Sequence, residues 1–154
     1  MKTKTEQTSS AAPVATAGIK KVFTLAHGKH NEVYIGFVCV NLISAKDIFN
    51  KNLIGCSDPF PIISVGRHKE EGAVSFNNLS PVWNTEFLMP WDGAAVLKIE
   101  LADQGKFDDV YESLGFVEMS LVLFEIGQKN VFDIPLRDVV KGTIQFEVTI
   151  KVLE

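Results

Sequence analysis

Hydrophobic and polar positions alternate most regularly in the last part of the chain. Single polar residues separate Ile144, Phe146, Val148, Ile150 and Val152. Successive side chains of a strand point to opposite faces of the sheet. This alternation therefore predicts a strand with one face buried and the other in water.

Apolar or β-branched runs recur along the rest of the chain, and short sequences rich in Asn, Asp and Gly separate them. Such sequences favour turns. The predicted strands cover residues 33–45, 58–65, 72–76, 84–91, 96–103, 114–122, 130–136 and 144–152. A further short strand at 22–25 is compatible with the pattern. Because no long amphipathic helix interrupts the runs, we predict an all-β fold, an eight-stranded antiparallel β-sandwich.

The composition is that of a globular protein, with 46% hydrophobic and 22% charged residues. The formal net charge of -4 argues against a nucleic-acid partner, which usually requires a strongly basic surface. Cys39 and Cys56 indicate no disulfide framework, which favours a cytoplasmic location. No apolar run is long enough to cross a bilayer, so we expect any membrane contact to be peripheral.

The chain divides into a tail and one domain. Residues 1–18 are rich in Thr, Ser and Ala and show no periodicity, so we expect a flexible tail. We expect residues 19–154 to form a single domain. Its histidines, His27, His30 and His68, lack the spacing of metal ligands, and no nucleophile or phosphate-loop motif is present. We therefore expect a binding module that is not an enzyme and has no small-molecule substrate.

Three motifs follow one another at the spacing of a single domain. Residues 55–60 read Gly-Cys-Ser-Asp-Pro-Phe, residues 79–87 read Leu-Ser-Pro-Val-Trp-Asn-Thr-Glu-Phe, and the run at 97–103 precedes an acidic loop and a Leu-Gly pair. In this order they resemble the signatures of the C2 domain family. The resemblance implies a C2-type sandwich. Residues 141–144 resemble the last strand of its type II topology, in which the run at 33–45 is the first strand.

The resemblance also raises the question of calcium, because some C2 domains hold calcium with carboxylates between loops at one end of the sandwich. It implies a degenerate site with these candidate ligands: Asn52, Asp58, Asp103, Asp108 and Glu112. Asn52 and Gly105 stand where the family usually has aspartate. The loss of two negative charges predicts weak or absent calcium binding. The alternative for the remaining acids is that they are solvated loop residues.

Membrane-docking C2 domains often carry apolar residues at the tips of the same loops. Leu53 and Ile54 lie in the first loop and Phe107 in the third, with Lys51 and Lys106 beside them. Apolar tips can enter the headgroup region, and lysines are attracted to anionic lipids. The alternative is that these tips fold back onto the sandwich.

The resemblance thus implies a module for peripheral docking on an anionic phospholipid membrane, with calcium dependence weak or lost. The alternative function is a calcium-independent interaction with a protein partner. Asn52 and Gly105 favour this alternative, whereas Leu53 and Phe107 favour a lipid surface.

Overall fold

The structure, a computed structural model, describes residues 23–27, 30–105 and 111–153. The predicted tail at 1–18 and most of the acidic loop, residues 106–110, lie outside the described residues. The strands are β1 (Phe23–His27), β2 (His30–Tyr34), β3 (Gly36–Lys46), β4 (Pro59–Val65), β5 (His68–Glu71), β6 (Val82–Trp91), β7 (Val96–Gln104), β8 (Tyr111–Ser120), β9 (Asn130–Pro135) and β10 (Thr143–Val152). A 3-10 helix covers Leu121–Leu123. No helix in this part of the chain is both long and apolar enough to cross a membrane.

Two four-stranded antiparallel sheets contain eight of the described strands and confirm the predicted sandwich. The first sheet has the order β6-β3-β10-β9, and the second has the order β5-β4-β7-β8. Strands β1 and β2 form a separate hairpin. Strand β3 is the first strand of the sandwich and pairs with β10, the last. This arrangement agrees with the type II topology that the resemblance implied.

The core lies between the two sheets and follows the alternation of the strands. In β10, Ile144, Phe146, Val148 and Ile150 are buried and alternate with more exposed polar residues. They form one cluster with buried residues of the second sheet, such as Leu97. Full burial of one such side chain contributes roughly 1.5–3 kcal/mol. The core between the sheets is therefore the main source of stability.

The third strand of the sandwich was predicted at 72–76, and this prediction is wrong, because β5 ends before that segment. The segment still runs beside β4, since the N–H of Gly72 donates to the carbonyl of Pro61 (2.9 Å) and that of Ser75 to the carbonyl of Pro59 (2.8 Å). These two prolines have no N–H to donate in return. A regular two-sided ladder therefore cannot form, and the segment leaves the sheet.

The predicted strand at 33–45 is divided by a bend at Ile35, between β2 and β3. A β-carbon on Gly36 would lie 2.0 Å from the carbonyl oxygen of Lys151, so only glycine fits at this position. The bend separates the sandwich from the upstream hairpin. The additional strand predicted at 22–25 is present there as β1.

Candidate functional site

Two loops and the ends of β7 and β8, which a third loop joins, lie at one end of the sandwich. Loop 1 (residues 47–58) joins β3 to β4, loop 2 (residues 72–81) joins β5 to β6, and loop 3 (residues 105–110) joins β7 to β8. Only Gly105 of loop 3 belongs to the described residues. The pairing of β4 with β7 places the end of loop 1 beside the start of loop 3.

Three of the acidic residues singled out in the sequence lie together at this end. The backbone N–H of Asp58 donates to Oδ1 of Asp103 at 2.8 Å. Asp103 is in turn the register partner of Glu112 on the neighbouring strand. The structure therefore brings the backbones of these three residues together at one end of the sandwich, whereas Asp108 lies outside the described residues.

The two inner acids are already hydrogen-bonded within the fold. Asp103, only 6% exposed, accepts the bond from Asp58. Oδ1 of Asp58 accepts the backbone N–H of Asn77 in loop 2 at 2.6 Å. Charge-assisted bonds of this kind stabilise a carboxylate without a cation. Glu112, by contrast, is exposed.

Asn52 is a hydrogen-bond donor within loop 1. Its Nδ2 donates to the carbonyl oxygen of Cys56 at 2.9 Å. An ionised carboxylate accepts hydrogen bonds but cannot donate one. The amide therefore makes a contact that an aspartate at this position could not make.

The apolar residues of loop 1 project into solvent. Leu53 is fully exposed and Ile54 is 86% exposed. These two side chains therefore do not fold back onto the sandwich. Lys51 beside them is also exposed. Phe107 and Lys106, the corresponding residues of loop 3, lie outside the described residues.

Loop 2 adds an exposed aromatic residue that the sequence interpretation missed. Phe76 is 71% exposed and precedes Asn77. Oδ1 of Asn77 accepts the backbone N–H of Cys56 in loop 1 at 2.9 Å, so the tips of the two loops are in contact. The sequence interpretation placed Phe76 at the end of a strand. The Asn-Asn pair that follows it is a turn signal and could have indicated a loop tip.

Comparison with known proteins shows which family of domains this chain resembles. The family model of the C2 domain matches residues 36–136, which is more than half of the chain. The chain belongs to the C2 domain family. Multiple C2 and transmembrane domain-containing protein 2 of Mus musculus is 29% identical over 117 residues, which are 73% of this chain and 13% of the relative. This C2 domain spans from 12% to 20% of the length of eight curated relatives that it matches.

Solved structures show the same fold. A single C2 domain of plant Extended Synaptotagmin 1 superposes with a TM-score of 0.70 at 25% identity, covering 79% of this chain and 98% of that chain. A pair of C2 domains from Extended-Synaptotagmin 2, solved with calcium bound, gives a TM-score of 0.65 at 30% identity, covering 76% of this chain and 46% of that chain. Calcium is therefore an ion that a related structure holds.

Among the described residues, the calcium ligands that the resemblance implied are partly engaged in hydrogen bonds of the fold. Calcium takes six to eight oxygen ligands, mostly carboxylates and carbonyls. Asp58 and Asp103 each have one oxygen engaged by a backbone N–H, and the amide nitrogen of Asn52 faces a carbonyl of its own loop. No group of three or more His, Cys, Asp or Glu side chains that could hold a metal occurs among the described residues.

Proposed function

We propose that this C2 domain is a peripheral module that docks on an anionic phospholipid membrane through the tips of loops 1 and 2. The observation that carries the proposal is the exposure of Leu53, Ile54 and Phe76 at one end of the sandwich. The hydrogen bond between Cys56 and Asn77 keeps the two tips together, so the three side chains can reach one surface at the same time. Exposed apolar groups on a polar rim are typical of contact sites.

The energy available from these side chains is sufficient for reversible attachment. Full burial of one large apolar side chain contributes roughly 1.5–3 kcal/mol, and partial burial among headgroups contributes less. A lysine near an anionic surface, such as Lys51, adds about 1 kcal/mol. The sum supports peripheral binding that is readily reversed.

Calcium has at most a weak role in this docking, because an amide and a glycine occupy positions where the family usually has carboxylates. The candidate ligands of such a weak site stay Asn52, Asp58, Asp103, Asp108 and Glu112. In loop 3, Phe107 and Lys106 remain predicted membrane contacts.

The same role applies to the chain as a whole. Residues 19–154 would act as one binding module, with the segment 1–18 as a tail. We place its action in the cytoplasm, at the surface of a membrane, and we infer binding rather than catalysis as its role. Membership of the C2 domain family supports the binding role at a membrane surface.

A second candidate function, an interaction with a protein, is favoured by the edge of the first sheet. Among the described strands, β6 pairs only with β3, so one side of its backbone faces outward. Val82 and Leu88 on this strand are 66% and 53% exposed. A partner chain can add a strand to such an edge.

Vesicle co-sedimentation of a loop-tip variant tests the membrane proposal. The variant L53A/I54A/F76A should bind vesicles of phosphatidylserine and phosphatidylcholine at least about tenfold more weakly than the wild type, because it truncates the three exposed apolar side chains of loops 1 and 2. The matched control is V122A/L123A, which truncates two exposed apolar side chains outside the three loops. The control should bind like the wild type. Equal binding by all three proteins would contradict the proposal, and no binding by the wild type would favour the edge-strand alternative.

A further inference from the structure

Hydrogen bonds of neutral side chains, not ion pairs, connect the two arms of the turn in loop 1. Nδ2 of Asn50 donates to the carbonyl of Gly55 at 2.8 Å, and Nδ2 of Asn52 donates to that of Cys56 at 2.9 Å. The hydroxyl of Ser57, which is fully buried, donates to Oδ1 of Asn50 at 3.3 Å. These bonds join the two arms of the turn that carries the apolar tip.

Further bonds involving the same side chains reach the backbone N–H groups of the turn. Oδ1 of Asn50 accepts the N–H of Asn52 at 3.1 Å, and the hydroxyl oxygen of Ser57 accepts the N–H of Lys51 at 3.3 Å. Buried polar groups of a loop need such partners. In this turn, amides and a hydroxyl supply them.

Asn77 makes two of the hydrogen bonds that attach loop 2 to the tip of loop 1, while the N–H groups of Asp47 and Ile48 donate to Ser80 and Leu79 at the base of the loops. Oδ1 of Asn77 accepts the N–H of Cys56, and the N–H of Asn77 donates to the carboxylate of Asp58. The N–H of Asn78 donates to the carbonyl of Ser57 at 3.1 Å. Asn77 has a φ of 52°, in the left-handed region that asparagine adopts more readily than most residues. Phe76 is therefore presented beside the tip of loop 1.

From this geometry we infer that an asparagine network, made of Asn50, Asn52, Ser57 and Asn77, holds loops 1 and 2 in their docking conformation without a cation. The inference deepens the proposed function and rests on it: docking would be constitutive with respect to calcium. At position 52 the asparagine donates to the carbonyl of Cys56, a bond that an aspartate, the residue with the charge that a calcium site favours, could not make.

Amide hydrogen exchange of the wild-type protein tests the network independently of any membrane. In the presence of a chelator, the N–H groups of Lys51, Asn52 and Cys56 should exchange several-fold more slowly than in an unstructured peptide. Millimolar calcium should leave their rates unchanged. Unprotected exchange in chelator, with protection appearing when calcium is added, would overturn the inference.

A substitution at Asn77 tests the attachment of loop 2. Asn77→Gly keeps the left-handed backbone and removes the acceptor of the Cys56 N–H, so exchange at Cys56 should accelerate roughly fivefold. Vesicle binding should weaken, although all three apolar tips remain. The matched control is Asn84→Gly, since Asn84 also has a left-handed φ, of 47°, but lies in β6.

The outcomes separate the two proposals. If the wild type does not bind vesicles, the proposed function fails, while the exchange rates still decide whether the network orders the loops. If N77G exchanges and binds like the wild type, the network does not position the tips, whatever the role of the tips themselves. If N84G shows the same losses as N77G, a general effect of glycine explains them and the inference falls.

Discussion

The two ends of this molecule both expose apolar side chains, but they hold them in different ways. The 3-10 helix that carries Val122 and Leu123 begins with Leu121, which is 2% exposed and donates its N–H to the carbonyl of Ala95 at 2.7 Å. The turn of loop 1 at residues 50–57 has Ser57 as its one buried residue. The 3-10 helix is thus an extension of the core, whereas loop 1 is a polar framework that presents apolar tips.

This difference shows that exposure alone does not identify a docking site. The side chain of Leu123 is about as exposed as the apolar side chains at the loop tips, yet Leu121 in the same 3-10 helix packs into the core. At the loop end, Leu53 and Phe76 come from different loops and are brought together by polar contacts. Exposed apolar residues that come from different loops and do not adjoin the hydrophobic core are better candidates for a binding site than exposed residues beside a core side chain.

The largest effect we expect concerns stability at the 3-10 helix. Leu121→Ala should lower the free energy of unfolding by about 2–5 kcal/mol, because it leaves a cavity in the core. Leu53→Ala and Leu123→Ala should each change it by no more than about 0.5 kcal/mol. Urea denaturation of the three variants measures these differences. A large decrease in the free energy of unfolding for Leu53→Ala would mean that Leu53 packs into the hydrophobic core. The contrast between the two ends of the molecule would then disappear.

The second prediction concerns calcium. Restoring both acids, as Asn52→Asp with Gly105→Asp, should raise calcium affinity by about tenfold or more, since ligand charge strongly tunes such sites. Titration calorimetry of the wild type and the double variant makes the comparison, and the wild type should give weak or undetectable binding. Tight binding by the wild type at micromolar calcium would contradict the account of loop 1.

The sequence predicted much of the sandwich, because its signals are local. The alternation from Ile144 to Val152 indicates the last strand, and the Ser-Asp-Pro motif marks the turn that brings Asp58 next to Asp103. The wrongly predicted strand at 72–76 is explained by contacts between segments that are distant in the sequence. The segment at 72–76 fails as a strand because its neighbours on β4 are the prolines Pro59 and Pro61.

The contacts between the loops were also beyond the reach of sequence patterns. Asn77 and Cys56 are 21 residues apart, and neither belongs to a motif that pairs them. In the sequence, Asn52 could be interpreted only with respect to calcium, as a neutral candidate ligand where the family usually has aspartate. The structure shows that its amide nitrogen has a partner within loop 1.

The third prediction concerns loop 3. If Phe107 is a further membrane contact, Phe107→Ala should weaken vesicle binding by roughly fivefold, the effect of about 1 kcal/mol of lost apolar burial. Co-sedimentation of the single variant and of its combination with Leu53→Ala gives the measurement. Unchanged binding in both backgrounds would restrict docking to loops 1 and 2.

The smallest effect concerns the two thiols, one at the loop end and one in the first sheet. Burial raises the pKa of the Cys39 thiol, which lowers its reactive thiolate fraction at neutral pH. Cys56 in loop 1 is partly exposed. A thiol reagent should therefore modify Cys56 first, and Cys56→Ser should remove the fast phase. A fast phase that survives this substitution would mean that Cys39 is accessible.

Vesicle binding of the wild-type protein with and without calcium tests the central claim most directly. We predict the same bound fraction on anionic vesicles in chelator and in millimolar calcium, with much less binding to vesicles of phosphatidylcholine alone. This result follows if Leu53, Ile54 and Phe76 are held ready by the asparagine network and Lys51 favours the anionic surface. Binding that appears only when calcium is added, or no binding under either condition, would contradict the account.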